Sequence, residues 1–362
     1  MRKAVFILFL SVLLFLMLIP NPAYAKKLKV AFIYVGPIGD AGWTYAHNQG
    51  RLHIEKVFGD QIETTYVESV PEGMEALQVI RSLVKKGYKV VFTTSFGYMD
   101  PTLMAAKEFP KAHFFHCSGY KTYKNMTAYF GRMYQPRFLT GIVAGMMTKS
   151  NIIGYVAAHP IPEVIRGINA FALGVKLVNP KAVVKVVWTH TWYDPAIEKE
   201  AALSLLDAGA DVIAQHQDSP APQQAAQERG AYGIGYNSDM SAFAPKAHLT
   251  APVWNWGVFY EYVIRGILDG TYKHGNYWWG MKEGIVDIAP FGPMVPDNVK
   301  KIVNVFKEAI IDGTFDPFEG PIYDQEGKLR VKAGEKLSDE ALLSMDWFVD
   351  NVEGTIPKGA GE

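Results

Sequence analysis

From Lys29 onward, short apolar runs alternate with longer amphipathic stretches, and this alternation limits the folds that the chain can adopt. Segments 29–35 and 90–94 have the length and composition of buried strands, while segment 73–86 carries apolar residues at helical spacing. Strands that alternate with helices in this way pack into a parallel sheet with helices on both faces. The sequence therefore predicts a doubly wound α/β layer in its N-terminal part.

The same alternation starts again at Ile152, with strands over 152–157 and 183–188 and helices over 163–178 and 198–207. A chain of 362 residues is also longer than one hydrophobic core usually supports, which is about 250 to 300 residues. We therefore expect two α/β lobes. Ligands of parallel sheets bind outside the carboxyl ends of the strands, so the cleft between the lobes is the expected site.

The N-terminus has the pattern of a secretory signal. A positive start over residues 1–3 precedes an apolar run over 4–19, and the segment ends in an A-x-A motif at Ala25. This predicts a signal peptide over 1–25 and a chain that starts at Lys26 after cleavage; a membrane anchor is the alternative reading. No cysteine follows the apolar run to carry a lipid, so the expected location is the periplasm.

The composition excludes several classes of protein. Lysine and arginine together number 36, as do aspartate and glutamate, so no excess of basic residues favours nucleic-acid binding. The single cysteine, Cys117, cannot form an internal disulfide or a multi-thiolate metal site. Motifs for a serine nucleophile, a zinc helix and a phosphate loop are all missing from the sequence. We expect a solute receptor that is not an enzyme and needs no cofactor or metal.

An ordered series of motifs between Lys29 and Gly313 resembles the basic membrane protein family, the PnrA-like substrate-binding proteins of ABC transporters. The matching segments are a loop with an aspartate and an aromatic, a second loop, a long helix into the second lobe, an aromatic-x-Asp-Pro segment and an acidic strand end: 39–43, 94–98, 134–147, 192–195 and 235–239. The resemblance implies the type I periplasmic binding protein fold. It also implies a small-molecule ligand and an ABC permease as partners.

Family members bind purine nucleosides between two aromatic side chains, and those positions correspond here to Trp43 and Trp192. Base stacking on an aromatic is worth about 1 to 3 kcal/mol; the alternative reading is that both are core tryptophans. The resemblance further implies one aromatic from the first lobe and four polar groups for the base edge: Phe96, Asp40, Asp194, Asn237 and Asp239. The Asp194–Pro195 pair is also typical of a helix start, which would make Asp194 a cap.

Two departures from the family pattern affect the expected ligand. The family lysine that contacts ribose aligns with Trp254, and the aspartate of the preceding motif aligns with Asn237. Both changes remove groups suited to sugar hydroxyls. We therefore expect a purine base such as adenine, ahead of a nucleoside, with Trp254 in the pocket. A cage for a quaternary ammonium ligand is the alternative that the same aromatics allow.

The expected division places 26–132 and about 254–282 in the first lobe, and 133–253 and about 283–317 in the second. Residues 318–362 form an extension with a hairpin and a short helix that starts at Ser338. Two functions from other classes stay open at this point. One is a sensory module that presents the solute to a membrane receptor, and the other is an exported nucleoside hydrolase.

Overall fold

The computed structural model describes residues 27–357 and contains two six-stranded parallel sheets. The first sheet has the order β12-β5-β4-β3-β1-β2. Its strands are β1 (Leu28–Ile33), β2 (Ile62–Val67), β3 (Val90–Thr93), β4 (His113–Cys117), β5 (Met126–Gly131) and β12 (Asn276–Trp279). The apolar runs that the alternation pattern picks out as strands are buried at the centre of this sheet, where both faces are covered.

The second sheet repeats this arrangement with the order β10-β9-β8-β6-β7-β16. Its strands are β6 (Ile152–Ala157), β7 (Val183–Trp188), β8 (Val212–Gln215), β9 (Tyr232–Ile234), β10 (His248–Thr250) and β16 (Val352–Glu353). All pairings within both sheets are parallel. The predicted two-lobed, doubly wound α/β fold is therefore confirmed.

Helices connect and cover the strands. They are α1 (Trp43–Phe58), α2 (Met74–Lys85), α3 (Met99–Glu108), α4 (Tyr134–Met147), α5 (Pro162–Val178), α6 (Pro195–Asp207), α7 (Ala221–Glu228), α8 (Trp256–Leu268), α9 (Asp297–Asp312) and α10 (Asp339–Leu343). Helices α1 and α8 pack together on the first sheet, while α4 and α5 form the most extensive helix pair. Among the residues that the structure describes, no helix is long and apolar enough to cross a membrane.

The segment 248–256 contains three elements. It holds β10, then β11 (Pro252–Trp254), which pairs antiparallel with β13 (Val286–Ile288), and then the start of α8. Backbone pairing also joins Asn237 to Val253. Apolar composition alone could not divide this segment, because each piece is short and buried.

The C-terminal residues are built onto the second lobe. The predicted hairpin is present as β14 (Ile322–Tyr323) and β15 (Leu329–Val331), and Ser338 caps α10 through a bond from the Ala341 backbone N–H. Strand β16 extends the second sheet by pairing with β7. Two residues of strand carry no periodicity, so the sequence did not predict this edge strand.

The predicted signal peptide lies outside the described residues, and the lobe boundaries stay a prediction.

Candidate functional site

Each sheet has one topological switch point, where the connections that follow two adjacent strands run in opposite directions. In the first sheet this point lies between β1 and β3, and in the second it lies between β6 and β8. Such a switch point leaves a crevice at the carboxyl ends of the two strands, where ligands bind. The loops that follow these four strands therefore mark the site. Trp43, Asp40 and Phe96 come from the first pair of loops.

Trp43 is the first residue of α1 and is fixed by contacts within its own lobe. Its indole N–H donates to the Thr94 carbonyl, with 2.6 Å between Nε1 and the oxygen. The indole lies perpendicular to three neighbouring rings, those of His47, Trp254 and Trp256, at centroid distances of 4.5, 5.6 and 5.5 Å. The side chain is half-buried, so part of its surface remains accessible. Trp43 is thus a positioned aromatic surface.

The three rings beside Trp43 form a stack. The Trp254 and Trp256 rings lie 4.4 Å apart, and the Trp256 and His47 rings also lie 4.4 Å apart, both pairs nearly parallel. The Nδ1 atom of His47 lies 2.5 Å from the Tyr260 hydroxyl oxygen. Burial lowers the pKa of His47 well below its usual value, so the ring is neutral. This stack supports Trp43 without adding charge.

Trp192 lies in the loop after β7 and has fewer contacts. Its side chain is 38% exposed, and its nearest rings are His159 at 4.8 Å and His216 at 6.2 Å. Burial lowers the pKa of His216 to about 4, and the positive charge of Arg137 makes a smaller contribution. The Arg137 guanidinium lies 3.9 Å from the centre of the Tyr236 ring, deeper in the second lobe. Trp192 therefore lies beside two imidazole rings, His159 and the more distant His216, and burial lowers the pKa of both.

Asp40 is occupied by the start of α1. Its Oδ1 accepts bonds from the backbone N–H groups of Gly42 and Tyr45, both at 2.9 Å, and its Oδ2 accepts from Thr44 at 3.0 Å. Burial raises the pKa of Asp40, and these three N–H groups oppose that rise by stabilising the carboxylate. Both oxygens are thus engaged by the helix. The role on the base edge that the resemblance implies for Asp40 stays a prediction.

Asp194 caps α6, as the Asp–Pro pair predicts. Its Oδ1 accepts from the backbone N–H groups of Ala196 and Ile197, and its own N–H donates to Glu198.

Asp239 is exposed and lies 3.5 Å from His248. Phe96 is 53% exposed on the opposite lobe. Of the polar candidates from the second lobe, only Asn237 is fully buried between other polar groups.

Asn237 links the aromatic stack to a residue that sequence reasoning missed. The Trp254 indole N–H donates to Oδ1 of Asn237 at 2.9 Å, and Nδ2 of Asn237 donates to Oδ1 of Asp218 at 2.8 Å. An indole N–H can only donate, so these bonds fix the orientation of the Asn237 amide. Trp254 and Asn237, which the resemblance aligns with the family lysine and aspartate, therefore bond to each other.

Asp218 lies in the loop after β8, beside the switch point of the second sheet. Its neighbour Ser219 bonds to Glu198. Burial raises the pKa of the Asp218 carboxyl group well above its usual value, and the negative charges of Asp40 and Glu198 raise it further. Burial likewise raises the pKa of Glu198 to about 7. The strand order of the second lobe, once inferred, would have indicated this loop, but no sequence motif marks it.

The two lobes touch at the start of α1. The Ser238 hydroxyl donates to the Ala41 carbonyl with a separation of 2.5 Å. The backbone of Asp218 packs so closely on Gly42 that an added Cβ at Gly42 would lie 2.5 Å from the Asp218 Cα. Only glycine fits at this point of contact. The structure is therefore closed around the loop that carries Asp40 and Trp43.

The arrangement suits noncovalent binding of a flat molecule. It offers indole rings from opposite lobes and a carboxyl group between the loops that carry them. Within residues 27–357, no three His, Cys, Asp or Glu side chains are placed to hold one metal ion. Stacking and a few directed hydrogen bonds are what these side chains can supply.

Comparison with known proteins identifies the family. Residues 27–315 match the family described as ABC transporter substrate-binding protein PnrA-like. The chain is 48% identical to a purine-binding protein of Brucella abortus, over 92% of this chain and 95% of that protein. It is 40% identical to a Haloferax volcanii protein described provisionally as an ABC transporter glucose-binding protein, over 93% and 83% of the two chains.

A solved structure agrees on the fold. An ABC transporter solute-binding protein from Conexibacter woesei superimposes with a TM-score of 0.67 at 23% identity, covering 80% of this chain and 98% of that one. The family is one of solute-binding proteins and not of enzymes. The family match covers strands of both sheets, so the family that the sequence motifs predict is confirmed. The chain belongs to the PnrA-like family of ABC transporter substrate-binding proteins.

Proposed function

We propose that this protein captures a purine base, with adenine favoured, and delivers it to an ABC permease. The observation that supports this most is the placement of Trp43 and Trp192 on opposite lobes, with Asp218 in contact with both of the segments that carry them. A flat heterocycle bound between two indoles would gain stacking on both faces, at about 1 to 3 kcal/mol per face. The similarity to a purine-binding protein supports the same ligand class.

Capture requires that the ligand favour the closed arrangement of the lobes. A ligand that contacts only Trp43 binds the open and closed forms equally, so it does not shift the equilibrium between them. A ligand that also contacts Trp192 adds its binding energy to the closed form alone. We propose that the permease recognises this closed form, and that the protein acts in the periplasm after removal of residues 1–25.

The preference for a base over a nucleoside rests on the polar groups near the aromatic stack. The resemblance aligns Trp254 and Asn237 with a family lysine and aspartate. Their polar atoms bond to each other and to Asp218. They leave few free partners for the hydroxyl groups of a ribose. A buried hydroxyl without a partner costs about 1 to 3 kcal/mol, so a nucleoside would bind more weakly than its base.

Calorimetric titration of the protein beginning at Lys26 tests the proposal. The ligands are adenine, guanine, adenosine, inosine, choline and glucose, and we expect adenine to bind at least about tenfold more tightly than adenosine. Tighter binding of a nucleoside would contradict the argument from Trp254 and Asn237. Binding of glucose alone would favour the ligand named for the Haloferax relative, and binding of choline alone would favour the quaternary ammonium cage.

A further inference from the structure

We propose that Asp218 is the specificity-determining residue of the cleft, and that its neutral carboxyl group donates a hydrogen bond to a ring nitrogen of the bound heterocycle. This inference rests on the proposed function. Nothing in the family pattern singled out this position, and the other acidic candidates are either bonded to a helix start or exposed. Asp40 bonds to the start of α1, Asp194 caps α6 and Asp239 is exposed.

The position of Asp218 connects the two predicted stacking surfaces. Its backbone N–H donates to the Trp192 carbonyl at 3.0 Å, which ties it to the loop of the second lobe. Its Cα and Cβ pack on Gly42, the residue before Trp43. A ring held between Trp43 and Trp192 would therefore present its edge to the loop that carries this carboxyl group.

The surroundings of Asp218 favour the neutral form. The acidic groups that face it are Asp40 from the start of α1 and Glu198 from α6. The hydroxyl groups of Tyr193 and Tyr236 also lie close enough to feel its charge. No lysine or arginine forms an ion pair with Asp218 in the part of the chain that the structure describes. When carboxyl groups share a site without a cation, one of them retains its proton.

Hydrogen bonding decides which carboxyl group holds that proton. Three backbone N–H groups donate to Asp40 and stabilise its ionised form. Asp218 accepts one bond from the Asn237 amide, with some further support from the Trp43 backbone N–H. The proton therefore resides on Asp218, whose pKa burial raises well above its usual value. With Oδ1 turned to Asn237, the protonated oxygen is Oδ2, and it can donate to an acceptor on the ligand.

Closure then takes up a proton, which makes binding depend on pH. In the open form Asp218 loses its packing on Gly42 and moves away from the negative charge of Asp40, so the pKa of its carboxyl group falls toward the ordinary value. Because the closed form has the higher pKa, ligand affinity is greatest at low pH and falls as the pH rises. A carboxylate that only accepted bonds from the ligand would give the opposite trend.

The test compares Asp218→Asn with Asp218→Ala. An asparagine keeps an oxygen for Asn237 and an N–H group for the ligand, so we expect adenine affinity within about threefold of wild type. The alanine variant loses the donor, and we expect a loss of about tenfold to a hundredfold. Asp207→Asn, an exposed aspartate of the same lobe that pairs with Arg229, is the matched control and should bind as wild type does. Thermal unfolding of each variant verifies that it is folded.

Two further measurements identify the proton and the acceptor. Calorimetry in buffers of different ionisation enthalpy should give about one proton taken up per adenine at neutral pH for wild type and fewer for Asp218→Asn. The analogues 1-deaza-, 3-deaza- and 7-deazaadenine each lack one ring nitrogen. The analogue that lacks the nitrogen bonded by Asp218 should bind wild type and Asp218→Ala equally. Equal losses in Asp218→Asn and Asp218→Ala would overturn the inference while leaving purine binding intact. A wild-type protein that binds no purine would instead overturn the proposed function.

Discussion

The two sides of the cleft differ in how firmly they hold their tryptophan. Trp43 bonds to Thr94 and lies against a stack of three buried or nearly buried rings, and the loop before it is fixed by Asp40. Trp192 has two histidine rings as neighbours and leaves 38% of its surface exposed. The first lobe therefore presents a rigid aromatic surface, whereas the second lobe presents a loosely held one.

This difference suggests a division of labour. A rigid surface costs little entropy when a ligand stacks on it, because its side chains are already ordered. The loosely held tryptophan can adjust as the second lobe closes. The acidic side chains Asp218 and Glu198 belong to the same lobe. We infer that the first lobe selects flat rings by stacking. The second lobe then distinguishes among them by the hydrogen-bonding groups on the ring edge.

The largest expected contrast is between Trp43→Ala and Trp192→Ala. Removing the Trp43 indole leaves a cavity beside the ring stack and an unpaired Thr94 carbonyl, so we expect a loss of about 3 kcal/mol in the free energy of unfolding. Removing Trp192 exposes little that was buried, and we expect a loss below about 1 kcal/mol. Thermal and urea unfolding of the ligand-free protein measure both changes.

Both tryptophan variants should nevertheless lose adenine affinity, because each removes one stacking face. A loss of about tenfold or more is expected for Trp192→Ala even though its stability is nearly unchanged. If Trp192→Ala bound adenine as wild type does, the second stacking surface would have to be another residue. If both variants were equally unstable, the contrast between a rigid and a loose side would be wrong.

The next prediction tests the contact between the lobes. An added methyl group at Gly42 would meet the backbone of Asp218, so Gly42→Ala should hinder closure and weaken adenine binding about a hundredfold. The matched control is Gly39→Ala in the same loop, where an added Cβ meets nothing within 4 Å. Small-angle scattering with adenine should show compaction in the control and not in Gly42→Ala. Normal compaction in Gly42→Ala would contradict the closed arrangement.

Much of the fold follows from the sequence because the central strands carry their own signal. Strands β1, β3 and β6 are apolar runs of strand length, and α9 has the apolar spacing of a surface helix. The edge strands β12 and β16 join their sheets from distant parts of the chain. Their pairing partners are set by tertiary packing, which no local pattern contains.

The site was less predictable than the fold. The aromatic positions could be aligned with a family pattern, but burial and hydrogen bonding decide what the acidic residues do. Asp40 and Asp194 both follow strands and precede helices, a context that suits a ligand contact and a helix cap equally. Asp218 lies in a loop without a motif. Its relevance emerges only when the packing of the two lobes places that loop against Gly42.

The smallest expected contrast concerns these two helix starts. Asp40 uses both carboxylate oxygens for three backbone N–H groups, whereas Asp194 accepts both of its backbone bonds through Oδ1 alone. Asparagine offers a single acceptor oxygen. Asp194→Asn should therefore unfold as wild type does, while Asp40→Asn should lose about 1 kcal/mol of stability through the unpaired Thr44 N–H. Thermal unfolding without ligand measures both. Equal stability of the two variants would mean that the start of α1 is held by the aromatic stack, and that the rigidity of the first lobe does not depend on Asp40.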